Sequence, residues 1–296
     1  MSFLFSAGKK RKKPKKNKTV KANCFAGKKK NDKTCYSDKS LLKMRELWNS
    51  KHPDKRITTT QPNNIWGKFH ENLSNVCDSE MCWLKQKFID NGLGDKLLKT
   101  TFAPSQPKKW KKSPNTWLDS LDIAKVMKQY EQEYSNFNFL GPSPIDFDEQ
   151  FDEGQCVWDD ICKCDICEKY NKGVHKLGFI FNLDPHYKSG SHWVSLFVDL
   201  DKNFIFFMDS NGDPIPDEVK ALVKRVKMQA KEKLHKKMRF IDNAPMEHQY
   251  RNTECGIYSL YTLINLLQEK TTPQKLRRKR IPDEEMIELR SIYYNE

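Results

Sequence analysis

The stretch Glu247-His-Gln-Tyr-Arg-Asn-Thr-Glu-Cys-Gly-Ile-Tyr-Ser-Leu-Tyr-Thr-Leu-Ile-Asn-Leu-Leu267 changes character at Cys255, where polar, turn-prone residues give way to a nearly unbroken apolar run. Ile257, Tyr258, Leu260, Tyr261, Leu263, Ile264, Leu266 and Leu267 cover almost every angular position of a helix, so the spacing predicts one buried all round. Cys255 opens that helix. A cysteine in the first turn sits at the positive end of the macrodipole, which favours thiolate over thiol and so favours a nucleophile. Free cysteines are more often small buried hydrophobes. The residues upstream therefore decide between the two readings.

Leu177-Gly-Phe-Ile-Phe-Asn-Leu183 is an apolar run of strand length. Beyond a loop, His192-Trp-Val-Ser-Leu-Phe-Val-Asp-Leu200 and Asn203-Phe-Ile-Phe-Phe-Met-Asp209 read as two strands joined by a tight polar turn at Asp201-Lys202. If Leu200 and Asp201 form a two-residue loop, His192 lies directly opposite Asp209, and other even loop lengths keep both on one face. Opposed residues have Cβ atoms about 5 Å apart. A carboxylate there can orient and polarise the imidazole.

The chain has 296 residues, enough for one large or two modest domains, and a formal net charge of +14. Between Lys9 and Lys33 stand 13 basic residues and one acidic, Asp32, a net of +12, so the remainder is nearly neutral. Such a block cannot collapse on itself, and residues 1–36 are expected to form a disordered basic tail. It can serve as a nuclear-import signal or as a nucleic-acid clamp through residues 9–33. No run is long and apolar enough for a membrane span, and no secretory signal opens the chain. A soluble, unsecreted protein is expected, with no membrane partner. Its nine cysteines are then expected to be thiols in a reducing compartment.

Three helical patterns follow, around Leu41 to Trp48, Ile65 to Leu73, and Met81 to Ile89 ending near Gly92. They predict a small helical arm domain over 37–100, in which Cys77 and Cys82 are packing residues. Pro104, Pro107 and Pro114 interleaved with lysines suggest a linker over 101–115. Residues 116–296 are expected to form the main domain. It begins with an amphipathic helix whose apolar set is Leu118, Leu121, Ile123, Val126, Met127 and Tyr130, capped by Asp119 or Ser120. Acidic loops with Pro142 and Pro144 come next. The cluster Cys156, Cys162, Cys164 and Cys167, with His175 nearby, lacks two well-spaced ligand pairs, so neither zinc nor any cofactor is expected. Asp217 to Met238 reads as an amphipathic helix with a lysine-rich wet face, and Met238 to Asp242 as a short strand leading to Gln249 and Cys255.

His192-Trp193, Asp209-Ser-Asn-Gly212, Gln249 six residues before the cysteine, and Glu254-Cys-Gly-Ile-Tyr258 resemble the active site of the SUMO protease and adenovirus proteinase clan. Asn252-Thr-Glu-Cys-Gly256, Tyr258-Ser-Leu260 and Arg280-Ile-Pro-Asp-Glu-Glu-Met286 are similar to the polyprotein-processing proteases of African swine fever virus and related large DNA viruses. The resemblance runs from about Trp117 to the C-terminus. Two positions depart from it: the swine fever enzyme has Asn where Asp209 stands, and Gln three residues before its cysteine, where Asn252 stands.

The resemblance implies an α+β fold, a papain-like thiol protease domain with permuted order His, Asp, Gln, Cys. It implies catalysis by His192, Asp209 and Cys255 and an oxyanion hole from Gln249 and the Cys255 N–H. Trp193 is implied to line a narrow channel that admits glycine, with Trp117 as a second substrate-binding residue. The expected activity is cleavage after Gly-Gly-like sequences in a viral structural polyprotein, at assembly sites in the host cytoplasm and in the virion, or in the nucleus if the tail directs import. Alternatives are a protease for SUMO or another ubiquitin-like modifier, an acetyltransferase with the same triad, and a nucleic-acid-binding structural protein with an idle triad.

Overall fold

A computed structural model of the chain describes residues 22–27, 34–151 and 154–296. The basic run Lys9 to Lys18 lies outside them. The chain divides into two compact units: among the described residues, the first takes 22–24 and 34–102, the second 25–27 and 103–296. Cys24, Phe25 and Ala26, and Thr34 to Tyr36, are buried, so these parts of the expected disordered tail are ordered instead. Their apolar side chains supply what the lysine run lacks.

The first unit is helical. Helix α1 spans Asp38–Lys51, α2 Pro62–Leu73, α3 Glu80–Trp83 and α4 Asn91–Thr101. The third expected helix stops after one turn, and Gly92 lies inside the start of α4, whose N-cap Asp90 accepts from the Leu93 N–H. The capping carboxylate outweighs the glycine as a local signal. The core gathers Tyr36, Leu41, Met44, Trp48, Ile65, Phe69, Trp83 and Phe88. Cys77 and Cys82 form a disulfide, as do Cys24 and Cys35, where free thiols are expected from the sequence. Their Cα separations of 5.4 and 5.1 Å are suited to a bridge.

In the second unit, α5 (Ser120–Glu133) precedes β1 (Phe137–Pro144), α6 (Asp159–Cys162), α7 (Ile166–Asn171), β2 (Lys176–Asn182), β3 (Trp193–Asp199) and β4 (Phe204–Met208). Then come α8 (Asp217–Leu234), β5 (Arg239–Asp242), α9 (Cys255–Leu267), α10 (Pro273–Arg278) and α11 (Asp283–Tyr293). The five strands form one sheet in order β1-β2-β3-β4-β5, with β1 parallel to β2, β4 parallel to β5, and the middle pairs antiparallel. The result is a mixed α/β fold.

Strand alternation builds two cores. Trp193, Phe197, Phe204, Phe206 and Met208 join α5 and α9 on one face, while Val194, Leu196, Val198, Ile205 and Phe207 join α7 and α8 on the other. With helices on both sides, the central strands β3 and β4 are buried along their whole length.

Four features differ from expectation. β1 occupies the supposed loop around Pro142 and Pro144; as an edge strand with a register shift between Leu140 and Ser143, it tolerates residues that cannot donate. The β3–β4 turn holds four residues, Leu200 to Asn203, so Asp209 falls opposite Val194 on extrapolating the register, and His192 lies two residues further out on the same face. The supposed linker is folded: Trp110 is buried, its ring edge-on to Tyr294 at 5.1 Å. Leu121 is 70% exposed, because the capping box of Asp119 and Asp122 starts α5 with that position facing outward.

Burial at these two positions predicts opposite outcomes. Phe206→Ala should destabilise by about 3–5 kcal/mol, whereas Leu121→Lys should change stability by no more than about 0.5 kcal/mol. Urea unfolding of each variant checks both.

Candidate active site

Three elements converge on one point. His192 ends the loop entering β3, Asp209 follows the last residue of β4, and Cys255 is the first residue of α9. Nε2 of His192 lies 2.8 Å from Oδ1 of Asp209. Cys255 also acts on the His192 ring, and with Nε2 turned to Asp209 the nitrogen left for sulfur is Nδ1. Burial by itself pulls the imidazolium pKa down, but the hydrogen bond to Asp209 and the charges of Asp209 and Cys255 push it up to about 10. The ring is therefore held as a cation near neutrality, the state that accompanies a thiolate.

Asp209 is itself gripped. Its N–H donates to Oδ1 of Asn243 at 2.9 Å, and Nδ2 of Asn243 donates back to the Asp209 carbonyl at 2.7 Å. Oδ1 of Asp209 also accepts from the Asn211 N–H at 2.8 Å. The turn closes at Gly212, whose φ of +79° and approach to the Met246–Glu247 backbone, 2.9 Å from where a Cβ would sit, leave no room for a side chain.

Gln249 is buried, and its backbone N–H and side-chain Oε1 are both taken by Ser210: N–H to carbonyl at 2.9 Å, Oγ–H to Oε1 at 2.8 Å. With Oε1 occupied, the amide NH₂ remains as a donor. The start of α9 is set by an ion pair: Glu254, fully buried, receives Nε of Arg290 at 2.7 Å. Arg290 also donates to the carbonyls of Thr116 and Thr253 at 2.8 and 2.9 Å and lies over the Trp110 ring.

Trp193 is buried with Nε1 donating to the Leu118 carbonyl at 3.0 Å. At Gly256 a Cβ would come 3.1 Å from Leu118 and 3.4 Å from Trp193, so glycine lets α9 approach closely here. Trp117 is 42% exposed and donates from Nε1 to the Asn252 carbonyl, on the rim beside the cysteine. Trp193 and Trp117 thus lie beside the start of α9, while Gln249 is tied to Ser210, the neighbour of Asp209. Asn243 and Arg290 are additions. An Asn after a short strand and an Arg in a helix carry no local signal of the partners they reach.

The cysteine cluster is split. Cys156 is bonded to Cys162, while Cys164 and Cys167 are free, buried thiols that burial pushes toward the protonated form. Among the described residues, the side chains close enough together to hold a metal are Asp146, Glu149 and His186, with ligand atoms within 4.8 Å. The Asp146 carboxylate already accepts from the His186 backbone N–H at 2.9 Å and lies 2.6 Å from its Nδ1.

A nucleophile-bearing helix terminus, a charged imidazole and two candidate donors for an oxyanion can perform acyl transfer to sulfur. Residues 166–296 match the Ulp1 protease family, C-terminal catalytic domain. A thiol protease of Acanthamoeba polyphaga mimivirus, so named without its activity being settled, is 28% identical over 68% of this chain and 64% of its own length. The chain thus covers somewhat less than two thirds of that relative. The SUMO-1 cysteine protease of African swine fever virus is 27% identical over 73% of this chain and 82% of its own. The crystal structure of an African swine fever virus protease superposes with a TM-score of 0.68 at 22% identity, covering 93% of this chain and 96% of that one, a likeness of fold. Residues 166–296 are thus similar to the catalytic domain of the Ulp1 protease family, a similarity that supports a cysteine peptidase.

Proposed function

We propose that the protein is a cysteine endopeptidase that cleaves after Gly-Gly-like sequences and matures a viral structural polyprotein. The observation that carries this reading is the 2.8 Å pairing of His192 with Asp209, with Cys255 at the start of a buried helix acting on the same ring. The thiolate of Cys255 attacks the scissile carbonyl. The oxyanion is met by the Cys255 N–H and by the Gln249 amide that Ser210 holds in place. His192 then protonates the leaving amine, and water, deprotonated by the same ring, releases the acyl group. Asp209 keeps the ring oriented throughout. The roles fall in chain order His192, Asp209, Gln249, Cys255, a permuted papain-like arrangement. Trp193, packed on Gly256, narrows the approach to the sulfur so that glycine is favoured, and Trp117 borders it.

Both relatives are viral and named as thiol or cysteine proteases, which supports a viral setting for the activity; the reading puts it at assembly sites in the host cytoplasm and in the virion. The name of the swine fever relative supports a second reading, in which the substrate is a ubiquitin-like precursor. Residues 9–33 add nucleic-acid binding or nuclear import.

Cys255→Ala should abolish cleavage of a Gly-Gly-containing peptide, and Gln249→Ala should lower single-turnover rates about 100- to 1,000-fold. Residual turnover by Cys255→Ala would remove Cys255 from the mechanism, whereas no cleavage by the unaltered chain would leave the structural, nucleic-acid-binding alternative in place. Mass spectrometry of new N-termini from polyprotein and modifier precursors separates the two substrates.

The pH profile follows from His192. Because its pKa is raised from 6.5 to about 10, the imidazolium persists through neutrality and kcat/KM should fall only as pH climbs toward 10. Asp209→Asn should move that fall to lower pH. The same shift stabilises the folded state fully below about pH 6.5, a contribution lost as pH rises through about 10, which chemical denaturation across that window measures.

Deleting residues 1–33 should remove most DNA retention and its salt dependence while peptide cleavage survives, as two-salt retention and cleavage assays will show.

A further inference from the structure

The sheet ends at β5, and beyond that strand lies a groove. Arg239, Phe240 and Ile241 line it from β5, and Gln274, Arg277 and Arg278 from α10, around a cavity of 490 Å³. All three guanidinium groups belong to exposed residues, and among the described residues none takes part in an ion pair or a side-chain hydrogen bond. No carboxylate lines the groove. Lys275 and Lys279 flank the two α10 arginines, and no acidic residue stands between Lys270 and Arg280. Outside the N-terminal block the chain is nearly neutral, yet the fold collects positive charge here from two segments far apart in sequence.

The backbone of β5 is half used. Arg239 donates its N–H to the Asn203 carbonyl, and the parallel register pairs Arg239 with Phe204 and Ile241 with Phe206. In a parallel ladder this turns the peptide groups of Phe240 away from β4. No strand lies on that side among the described residues. β5 also leads directly to Asn243, which grips Asp209. Four residues of strand separate Arg239 from Asn243, about 13 Å.

We propose that this groove is an exosite for an extended acidic segment of the polypeptide substrate. The segment pairs with the outer edge of β5 and sets its carboxylates against Arg239, Arg277 and Arg278. An extended peptide satisfies both the open peptide groups and the arginines. A polynucleotide would use only the arginines. The exosite rests on the endopeptidase reading and adds which polypeptides are preferred: those with an acidic stretch a few residues from the cleaved bond.

Two measurements test it on the full chain. In the first, Cys255→Ala protein is titrated with a labelled peptide of alternating Glu and Val, its Lys and Val counterpart, and a single-stranded oligonucleotide of equal charge. In the second, active protein cleaves Gly-Gly peptides bearing acidic or neutral extensions on either side. The acidic extension should raise kcat/KM about tenfold at low salt, mainly through KM. Arg239→Gln, Arg277→Gln and Arg278→Gln together should abolish that preference and weaken acidic-peptide binding, leaving cleavage of the neutral peptide unchanged. Replacing the same three residues by Glu should transfer the preference to the Lys peptide. Because the basic N-terminal block is present in every variant, only losses caused by the groove substitutions count. Equal binding and cleavage by wild type and both triple variants would overturn the proposal, as would a groove-dependent gain for the oligonucleotide but not for the acidic peptide. If no Gly-Gly peptide is cut, the cleavage-site reading fails, while the titration still decides the exosite.

Discussion

The close packing of α9 against the sheet is the constraint on which the second unit depends. Ile257, Leu260, Leu263 and Ile264 are buried against Phe197, Phe206 and Met208, and each fully buried large side chain contributes roughly 1.5–3 kcal/mol. This burial carries positional information as well as stability. It allows little rotation or sliding of the helix, so the first residue of α9 has one place to be. That place lies beside the ends of β3 and β4, where His192 and Asp209 emerge.

Burying a charged site creates a second requirement. Glu254, at the N-cap of α9, has no exposed surface, and an unpaired carboxylate there would be strongly destabilising. Arg290 of α11 meets it and also spends donors on the carbonyls of Thr253, Thr116 and Pro114. The C-terminal helix thereby ties together the turn before Cys255 and the segment leading to α5. Tyr258 extends the same arrangement one turn into α9: its hydroxyl is within hydrogen-bond reach of the carbonyls of His248 and Ile281 and of the Asp283 carboxylate. The loop carrying Gln249 is thus held from both sides, by Ser210 and by the residues before α11.

The distribution of charge has a comparable logic. Near neutrality over residues 34–296 conceals a local excess between β5 and α10, because the compensating acids lie elsewhere on the surface. Lys233 is paired with Asp165, and Lys176 and Lys202 with Glu269. Arg239, Arg277 and Arg278 have no comparable neighbours in their groove.

Period and local chemistry made much of the molecule legible in the sequence. The all-round apolar run from Ile257 to Leu267 specifies α9, and an even loop length between the strands of His192 and Asp209 keeps them on one side, so a four-residue turn in place of two leaves them within 2.8 Å. Side-chain alternation has a period of two, and any even change of register preserves it. Asp119 likewise announces the cap of α5. The remainder depends on partners far away in the chain. β1 exists because β2 is beside it, despite Pro142 and Pro144; Trp110 is buried because Tyr294 returns to meet it; and Asn243 and Arg290 acquire their contacts only when strand ends and helix termini meet. Disulfides show the same division, since a bridge requires Cα atoms about 4.4–6.8 Å apart, a distance that spacing in sequence does not set. Residues whose role is written in their immediate neighbours were determined by the sequence itself, whereas long-range hydrogen bonds, ion pairs and bridges were decided by the tertiary structure, because only folding brings their two halves together.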